Sequence, residues 1–410
     1  MFKLTNEIRD YAWGSHTHIS RLLGSGTSAG PQAELWIGAH EGDPSRTPSG
    51  EPLNRVIADS PDDMLGDRVC TMFGPRLPFL VKALAAAEPL SLQVHPTSER
   101  ARMGFADQEA AGIPLTAPER SYQDPFHKPE LIFALTRFEG MAGFRDTAKS
   151  AEILRLLDHP WADEIAWRLE SGPAFQTLRA VVTDMLSLSG HDLVCLLAEL
   201  GDSARRAEER GHREEHRRRP PAKDRASVDR ESTRVFAQTS TLTKRYPTDP
   251  GVLVTLLLNH VVLAAGEAMF LDAGVIHAYT SGFGVEVMAS SDNVVRAGLT
   301  PKYVDVPELL AITNFTPIPA PLWGPSAVSD GTVHLDPPVP EFRLTVGTAP
   351  LTDLPGEGPR VVLTLEGSVR VRCSTGSEIL TRGESVFLSH ADGKLTIDGT
   401  GRVVVVSVPA

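Results

Sequence analysis

The sequence has few cysteines and no long, uninterrupted apolar run. Its three cysteines are odd in number, far apart and without CxxC spacing: Cys70, Cys195 and Cys373. This predicts reduced, buried thiols in a cytosolic protein and no disulfide framework. Residues 1–14 lack the apolar core of a signal peptide, and Asn259 and His260 interrupt the most apolar stretch. We therefore expect a cytoplasmic protein that is neither secreted nor inserted in a membrane.

The sequence also has fewer basic than acidic residues. The chain has 52 acidic and 40 basic residues, and its net charge is −12. Binding to nucleic acid or to an anionic membrane needs a broad basic surface, so we expect neither partner. With 410 residues, 41% of them hydrophobic, the chain can bury large cores and form two or three domains. We expect a monomer that binds a small molecule, and an anionic substrate would need locally placed cations.

Polar chemistry is concentrated in residues 277–302, HAYTSGFGVEVMASSDNVVRAGLTPK. In a strand, side chains alternate, so Val285 and Val287 share the apolar face while Glu286 points to the other side. The SSDN stretch predicts a turn, and VVR predicts the return strand. The segment predicts a β-hairpin that carries functional groups. A solvated edge hairpin is the alternative.

A second polar group lies in the segment LSLQVHP. If this segment is a strand, Ser91, Gln93 and His95 lie on one face. An amide oxygen and an imidazole two residues apart can hold a divalent metal inside a barrel, although a lone strand histidine more often only forms a hydrogen bond. Lys82, a little earlier in the chain, is either a surface cation or an anion contact.

A third polar group begins the apolar segment HKPELIFAL. Pro129 disfavours a helix at Lys128, so we expect an extended entry into a strand with Glu130 at its start. This carboxylate could bind a metal, or it could lie in water at the strand end. A barrel is the simplest way to bring Glu130, the Gln93–His95 pair and His277 to one site.

Residues 146–245 change to apolar spacing typical of helices and predict a helical insertion. Within it, residues 204–231 carry clustered arginines and glutamates and the Pro220-Pro221 pair. This segment predicts a solvated helix with a linker, or a disordered excursion. Because the glutamates interleave with the arginines, a nucleic-acid arm is disfavoured.

Strands return after the insertion and contain an internal repeat. The stretch from Gly266 to Leu271 aligns with that from Gly383 to Leu388, and the same register places Lys394 opposite His277. The second copy should therefore be metal-free. The predicted fold is mainly β, with two jelly-roll barrels and a helical insertion. The predicted domains are 1–145 with 246–320 for the catalytic site, 146–245 for the insertion and 321–410 for the metal-free barrel.

Several segments resemble type I mannose-6-phosphate isomerases. The pattern H-A-Y, then Gly, then E-x-M-A-x-S-D-N and R-A-G-x-T-P-K matches their long signature throughout. The run from Tyr122 through Asp124 to Glu130 matches a second motif, with Phe126 where the family has Asn, and YAWG and AELW resemble motifs near the amino terminus. The resemblance covers nearly the whole chain outside the interior of the helical insertion. It implies cupin-type barrels.

The resemblance also implies one zinc ion, bound by four residues that match the family's ligands: Gln93, His95, Glu130 and His277. By ligand chemistry alone, two histidines and a carboxylate would also suit iron. The implied reaction interconverts mannose 6-phosphate and fructose 6-phosphate, which supplies mannose phosphates for GDP-mannose. Two other functions are open, namely an iron-dependent cupin oxygenase and a non-catalytic sugar-binding protein.

The implied isomerisation removes a proton beside a carbonyl group, which needs a charge-stabilising metal and a base. Arg296 stays protonated, so we assign it to stabilising the enediolate, an active-site role that the resemblance also implies. Glu286 is the first candidate for the base. The further candidates for ring opening or proton transfer are Asp292, His127 and Lys128. The candidates for binding the phosphate are Lys82, Ser91 and Lys302.

Overall fold

The computed structural model describes residues 1–215, 223–329 and 331–409. Its strands are β1 (Phe2–Leu4), β2 (Glu7–Arg9), β3 (Glu34–Gly38), β4 (Phe79–Ala86), β5 (Leu92–Val94), β6 (Glu130–Ala134), β7 (Phe138–Phe144), β8 (Leu258–Leu263), β9 (Ala268–Leu271), β10 (His277–Ala289), β11 (Val295–Gly298), β12 (Leu322–Trp323), β13 (Ala327–Ser329), β14 (Thr332–Leu335), β15 (Arg343–Thr348), β16 (Arg360–Cys373), β17 (Gly376–Thr381), β18 (Ser385–Leu388) and β19 (Thr396–Ser407).

The helices surround these strands. They are α1 (His18–Leu22), α2 (Leu53–Asp59), α3 (Pro61–Leu65), α4 (Asp67–Phe73), α5 (Ser98–Ala110), α6 (Thr147–Arg155), α7 (Pro160–Glu170), α8 (Ala174–Ser187), α9 (Gly190–Glu215), α10 (Lys223–Arg245), α11 (Gly251–Thr255) and α12 (Val306–Ile312), with a short 3₁₀ helix at His390–Asp392. Within the described residues no single helix meets the length and apolarity needed to cross a membrane; one sharply bent pair, α8 with α9, passes that test by length and composition.

The first barrel is built around β10, which belongs to two antiparallel sheets. Its first half lies between β5 and β7, and its second half lies between β4 and β6. The outward face of the second half carries Val285 and Val287, which pack in a core shared with the second barrel. The inward face carries Glu286, as the alternation of the sequence predicted. One strand therefore brings apolar packing and polar chemistry to opposite sides of the sheet.

The helical segment packs on the outside of this barrel. A large apolar core joins α6–α11 to β5, β7 and β11, because the helices present their apolar stripes to the sheet. The charged segment predicted at 204–231 coincides with the end of α9 and the start of α10, and residues 216–222 lie outside the described residues.

The second barrel follows the order β1-β18-β16-β19-β15-β14-β13, with β17 beside β16. Its interior is apolar, lined by Val362, Val371 and Leu395 among others. Strand β1 pairs with β18, so Phe2–Leu4 lies in the sheet of the second barrel although the predicted boundary assigned it to the first domain. The pairing buries Leu4 beside the carboxy-terminal strands, which a boundary drawn along the sequence could not include.

The predicted fold class is confirmed, and helices outside the insertion add to it. The structure has three helices, α1, α2 and α5, in segments where the sequence patterning predicted no helix. In α5 the only fully buried residues are Ala101 and Gly104, so an apolar stripe is absent from the sequence. The helix begins instead at a capping hydrogen bond, in which the Thr97 side chain accepts from the Arg100 backbone N–H.

Candidate metal centre and active site

Three of the predicted metal ligands meet inside the first barrel. His95 follows β5, Glu130 begins β6 and His277 begins β10. The His95 Nε2 atom lies 3.2 Å from Glu130 Oε1, and the His277 Nε2 atom lies 3.3 Å from Glu130 Oε2. All three side chains are almost completely buried. The potential ligand atoms lie within 4.8 Å of one another, which is close enough to share a metal ion.

The two histidines are held in the tautomer that a metal requires. His95 Nδ1 lies 2.7 Å from the carbonyl oxygen of Asn293, and His277 Nδ1 lies 2.8 Å from that of Val275. Each Nδ1–H therefore donates to a carbonyl and leaves the Nε2 lone pair directed to the cluster. Burial lowers the pKa of His95 to about 4, so this ring is neutral at pH 7.

Two buried atoms of the cluster, His95 Nε2 and Glu130 Oε2, have no hydrogen-bond partner in the described structure. Such unpaired polar atoms are costly unless a ligand satisfies them. Burial alone would raise the pKa of Glu130, but Lys128 and His95 hold it well below the usual range. Two imidazoles with a carboxylate are a suitable donor set for zinc, so these residues fit the implied metal.

Gln93 and Arg296 complete one row across three strands. Gln93 on β5 is the Cα partner of His277 on β10 and of Arg296 on β11. The Gln93 amide approaches His277 Nε2 at 3.3 Å. Side chains of neighbouring partners in such a row are roughly 5 Å apart at Cβ, so the row places the Gln93 amide beside the His277 ligand and the Arg296 guanidinium on the other side of that amide. The predicted grouping of Gln93 with His95 and His277 is consistent with this geometry.

A buried network of alternating charges lines the same interior. Lys82 Nζ lies 3.3 Å from Glu34 Oε1 and 3.3 Å from Glu286 Oε2, and all three side chains are buried. Burial alone would lower the pKa of Lys82, but the two carboxylates outweigh it and raise the pKa above the usual value. Burial also raises the pKa of Glu286, although Lys82 opposes this rise. Lys82 is thus a permanent cation between two carboxylates.

Glu34 is a residue of this network that sequence reasoning missed. It lies in the AELW motif, for which the sequence analysis named no functional residue. The Trp36 Nε1–H donates to Glu34 Oε2 at 2.8 Å, which fixes the carboxylate that faces Lys82. A signal was present, because a glutamate inside an otherwise apolar strand needs a buried partner.

Arg296 and Lys302 form a second, unpaired group of cations. Arg296 is half-buried on β11, and burial lowers its pKa. Burial and the charge of Arg296 lower the pKa of Lys302, so the two cations lie near each other. In the described part of the chain neither side chain forms an ion pair. This pair has the unbalanced positive charge that an anionic group would neutralise.

Other predicted site residues lie elsewhere around the cluster. Lys128 Nζ is 3.2 Å from Glu130 Oε1, whereas His127 Nε2 is 2.7 Å from Glu341 Oε1, outside the metal cluster. The Asp292 carboxylate is half-exposed and lies 3.4 Å from His40 Nε2. Ser91 is half-buried immediately before β5. The structure thus places Lys128 at the cluster and the side chains of His127 and Asp292 against other partners.

Asn293 is a further supporting residue that the sequence motif did not single out. Its buried side-chain amide donates to the backbone carbonyl groups of Asp124 and Phe126, each at 2.7 Å, and its Oδ1 accepts from the Gln123 N–H at 2.7 Å. Its own carbonyl group holds His95. One side chain therefore connects the loop before β6 to a metal ligand.

Phe126, which departs from the family pattern, has a contact of its own. The Arg76 guanidinium carbon lies 3.5 Å from the centre of the Phe126 ring. Arg76 Nε also donates to the Phe73 carbonyl group at 3.1 Å. The aromatic ring thus connects the loop before β6 to the segment after α4 through a cation–π contact.

Comparisons with known proteins identify close similarity along the chain. Residues 1–147 match the family model for the catalytic domain of type I phosphomannose isomerase. The mannose-6-phosphate isomerase of Salmonella typhimurium is 37% identical over 412 residues, covering 98% of each protein. The human mannose-6-phosphate isomerase is 34% identical over 381 residues, covering 87% of this chain and 82% of that protein.

Solved structures show the same similarity. A crystal structure of mannose 6-phosphate isomerase from Salmonella typhimurium, bound to its substrate and to a zinc atom, has a TM-score of 0.84 and 36% sequence identity. The match covers all of both chains.

The two barrels, with a buried His–Glu–His cluster in one of them, define a metal-binding enzyme of the cupin class. Within that class, the match to isomerases extends over nearly the full length of the chain. The chain belongs to the type I mannose-6-phosphate isomerase family.

Proposed function

We propose that this chain is a zinc-dependent isomerase that interconverts mannose 6-phosphate and fructose 6-phosphate. The observation that carries the proposal is the buried cluster of His95, Glu130 and His277, with both Nδ1 atoms tied to carbonyl groups. The nearly full-length similarity to mannose-6-phosphate isomerases supports the same reaction. The proposed zinc ligands are these three residues and Gln93.

Zinc, when bound, would supply a Lewis acid that stabilises negative charge developing on the sugar oxygens. Gln93 and His277 would hold the zinc ion from neighbouring strands, since they lie in the same cross-strand row. Lys128 lies against Glu130 and balances the charge of this carboxylate before the metal arrives. The buried position of the cluster excludes water from the reacting atoms.

Glu286 is our proposed base for moving the proton between C1 and C2. Burial raises its pKa, which makes the carboxylate a stronger base, and Lys82 at 3.3 Å opposes the rise. Arg296 remains charged and lies in the row beside Gln93, where it would stabilise the enediolate. Asp292 and His127 keep less support, because their side chains contact His40 and Glu341.

For the phosphate group, the support differs among the predicted residues. Lys302 lies near Arg296 without an ion-pair partner in the described chain, and Ser91 lies beside the strand that carries Gln93. Lys82 is already compensated by two carboxylates, which would repel a dianionic phosphate. We therefore assign phosphate binding to Lys302 and Ser91, and we assign Lys82 to holding Glu286.

We also propose that the catalytic domain comprises residues 1–145 and 246–320 apart from β1, with the helical insertion at 146–245 and the metal-free barrel at 321–410. The proposal is supported by the separate apolar cores of the helices and the second barrel. A monomeric, cytoplasmic enzyme is consistent with the acidic charge and the few, separated cysteines.

A coupled assay for formation of fructose 6-phosphate, with zinc content measured on the same samples, tests the function. We expect activity to be lost on dialysis against a chelator and regained with zinc. The variant His277→Ala should lose metal occupancy as well as rate, because a neutral imidazole is a principal ligand. Full activity of the metal-free protein would overturn the proposal, and oxygen consumption with iron would favour the oxygenase alternative.

A further inference from the structure

A cleft of about 240 Å³ lies between the two barrels, away from the metal cluster. One side is formed by α1 and by Phe283 on β10, and the other side by the second barrel. The two sides approach closely, because a Cβ atom at Gly383 would lie 2.5 Å from the Leu22 carbonyl oxygen. Gly383 has φ +84°, a conformation that glycine adopts without strain. The cleft is thus bordered by a tight contact between the barrels.

Three arginines from separate parts of the chain line this cleft. Arg21 lies on α1, Arg382 lies in the turn between β17 and β18, and Arg402 lies on β19. Glu366 is the single acidic side chain on the wall among the described residues. The cleft therefore carries a net positive charge in a protein whose overall charge is −12.

The three guanidinium groups have no ion pair or hydrogen-bond acceptor within the described residues. Two other arginines of the second barrel have carboxylate partners. Arg372 Nε lies 2.9 Å from Asp398, and Arg343 Nε lies 2.7 Å from Asp336. The chain therefore supplies carboxylates to neighbouring arginines and leaves those of the cleft free to bind an external anion.

Two aromatic contacts lie at the cleft, and one of them involves an arginine. The His18 ring is stacked on Phe283, with centroids 5.2 Å apart and an interplanar angle of 6°. The Arg402 guanidinium carbon lies 5.8 Å from the centre of the Phe133 ring. Burial and the charge of Arg21 lower the pKa of His18, so its ring is neutral at pH 7 and can donate one hydrogen bond. The first contact positions the His18 ring at the cleft, and the second positions the Arg402 guanidinium group.

We infer that this cleft binds a small phosphate-bearing anion, either free phosphate or a phosphomonoester, at a site separate from the metal cluster. Guanidinium groups match phosphate oxygens with paired hydrogen bonds, and the three arginines outnumber the single carboxylate of Glu366, which is the cross-strand partner of Arg402. The volume accommodates a phosphate group with a short substituent. A bound anion would contact α1 and the second barrel together, so it would link the two barrels.

Isothermal titration of the zinc-loaded protein with inorganic phosphate at low ionic strength tests this inference. The cleft variant is Arg382→Gln with Arg402→Gln, and the matched control is Arg55→Gln on the exposed side of α2. To separate the cleft from the active site, the same titration is made on a variant with Arg296→Ala and Lys302→Gln. Titration with glycerol 3-phosphate distinguishes a monoester site from one that accepts only the free ion.

We expect phosphate binding to persist in the control and in the active-site variant, and to weaken about tenfold or more in the cleft variant. Isomerase kcat and KM should be unchanged in the cleft variant. Arg382→Lys with Arg402→Lys, which keeps the charge, should bind with intermediate affinity and also guards against a folding defect. Equal phosphate affinity in the wild-type and cleft-variant proteins would overturn the inference. No binding in the active-site variant would overturn it as well.

Discussion

Replacement of Lys82 by Met tests whether the buried charge network is as tightly balanced as its geometry indicates. Met keeps most of the apolar stem and removes the ammonium group. Glu34 and Glu286 would then lose the cation that lies 3.3 Å from each of them. Trp36 would still donate to Glu34, but Glu286 would lose its ionic partner in the network.

The expected loss of stability is large because the network is buried. Removing one partner of a buried ion pair typically costs about 3–5 kcal/mol, since the remaining charge is left uncompensated. Here one cation serves two carboxylates, so we expect a loss near the upper end, about 5 kcal/mol at pH 8. A loss of this size is comparable with the whole stability of many domains, which is about 5–15 kcal/mol.

The pH dependence follows from Glu286. Burial raises its pKa in the folded protein, and Lys82 opposes the rise, so removing Lys82 raises the pKa further. At pH values between the pKa of Glu286 in the unfolded chain and its higher pKa in the folded variant, the folded variant binds more protons than the unfolded chain. The stability of the variant therefore falls as pH rises through this range. The deficit relative to wild type should therefore be complete above the raised pKa of Glu286. It should shrink as pH falls toward the ordinary carboxyl range.

Urea unfolding of zinc-free protein at pH 8 and pH 5, followed by tryptophan fluorescence and circular dichroism, measures the deficit without metal linkage. Adding Glu286→Gln to Lys82→Met should restore part of the lost stability. The double-mutant cycle gives the coupling free energy between Lys82 and Glu286. Equal stability of Lys82→Met and wild type at pH 8 would contradict the balanced network. A deficit that is larger at pH 5 would contradict the assignment to Glu286.

Three further predictions concern the surroundings of the metal cluster. Arg296→Ala should lower kcat and kcat/KM together by about 10²–10³, with normal zinc content; a change in KM alone would assign it to ground-state binding. Asn293→Ala should lower the free energy of unfolding, measured in urea, by about 3 kcal/mol, and it should weaken zinc binding about tenfold. The reason is that the change releases the loop and the carbonyl group that orients His95, and unchanged zinc affinity would refute this coupling. Phe126→Asn should lower the free energy of unfolding by about 1–2 kcal/mol, because it removes the ring that stacks on Arg76. An unchanged midpoint of urea unfolding would refute this prediction.

The parts of the fold that the sequence could predict are those with local patterns. The internal repeat is an example, because both copies form the same turn. Gly266 and Gly383 have φ +94° and +84°, and each is followed by a glutamate whose Oε2 accepts a backbone N–H three residues earlier, at 2.8 and 2.7 Å. Such turns depend on neighbouring residues alone, so the alignment predicted β9 and β18 correctly.

The residues that sequence reasoning missed act through contacts between distant segments. Glu34 needs Lys82, which lies 48 positions away, and Asn293 holds a loop about 170 positions earlier. No local pattern identifies the partner of a buried polar group, so these roles become visible only when the strands are placed side by side. The metal ligands were accessible because the family motifs carried them, not because their spacing alone distinguished them from ordinary buried histidines.

The path of β10 explains why even a correct strand prediction could not place the whole site. His277 and Glu286 are nine residues apart on β10, so a regular strand would direct them to opposite faces. The register with β7 shifts between Tyr279 and Ser281, and the strand then passes to the second sheet through Gly282 at φ +124°. A Cβ atom at Gly282 would lie 2.7 Å from the Phe138 backbone, so only glycine fits this crossing. The irregularity reverses the alternation of side chains along the strand. The His277 ligand and the Glu286 carboxylate therefore both face the interior of the first barrel.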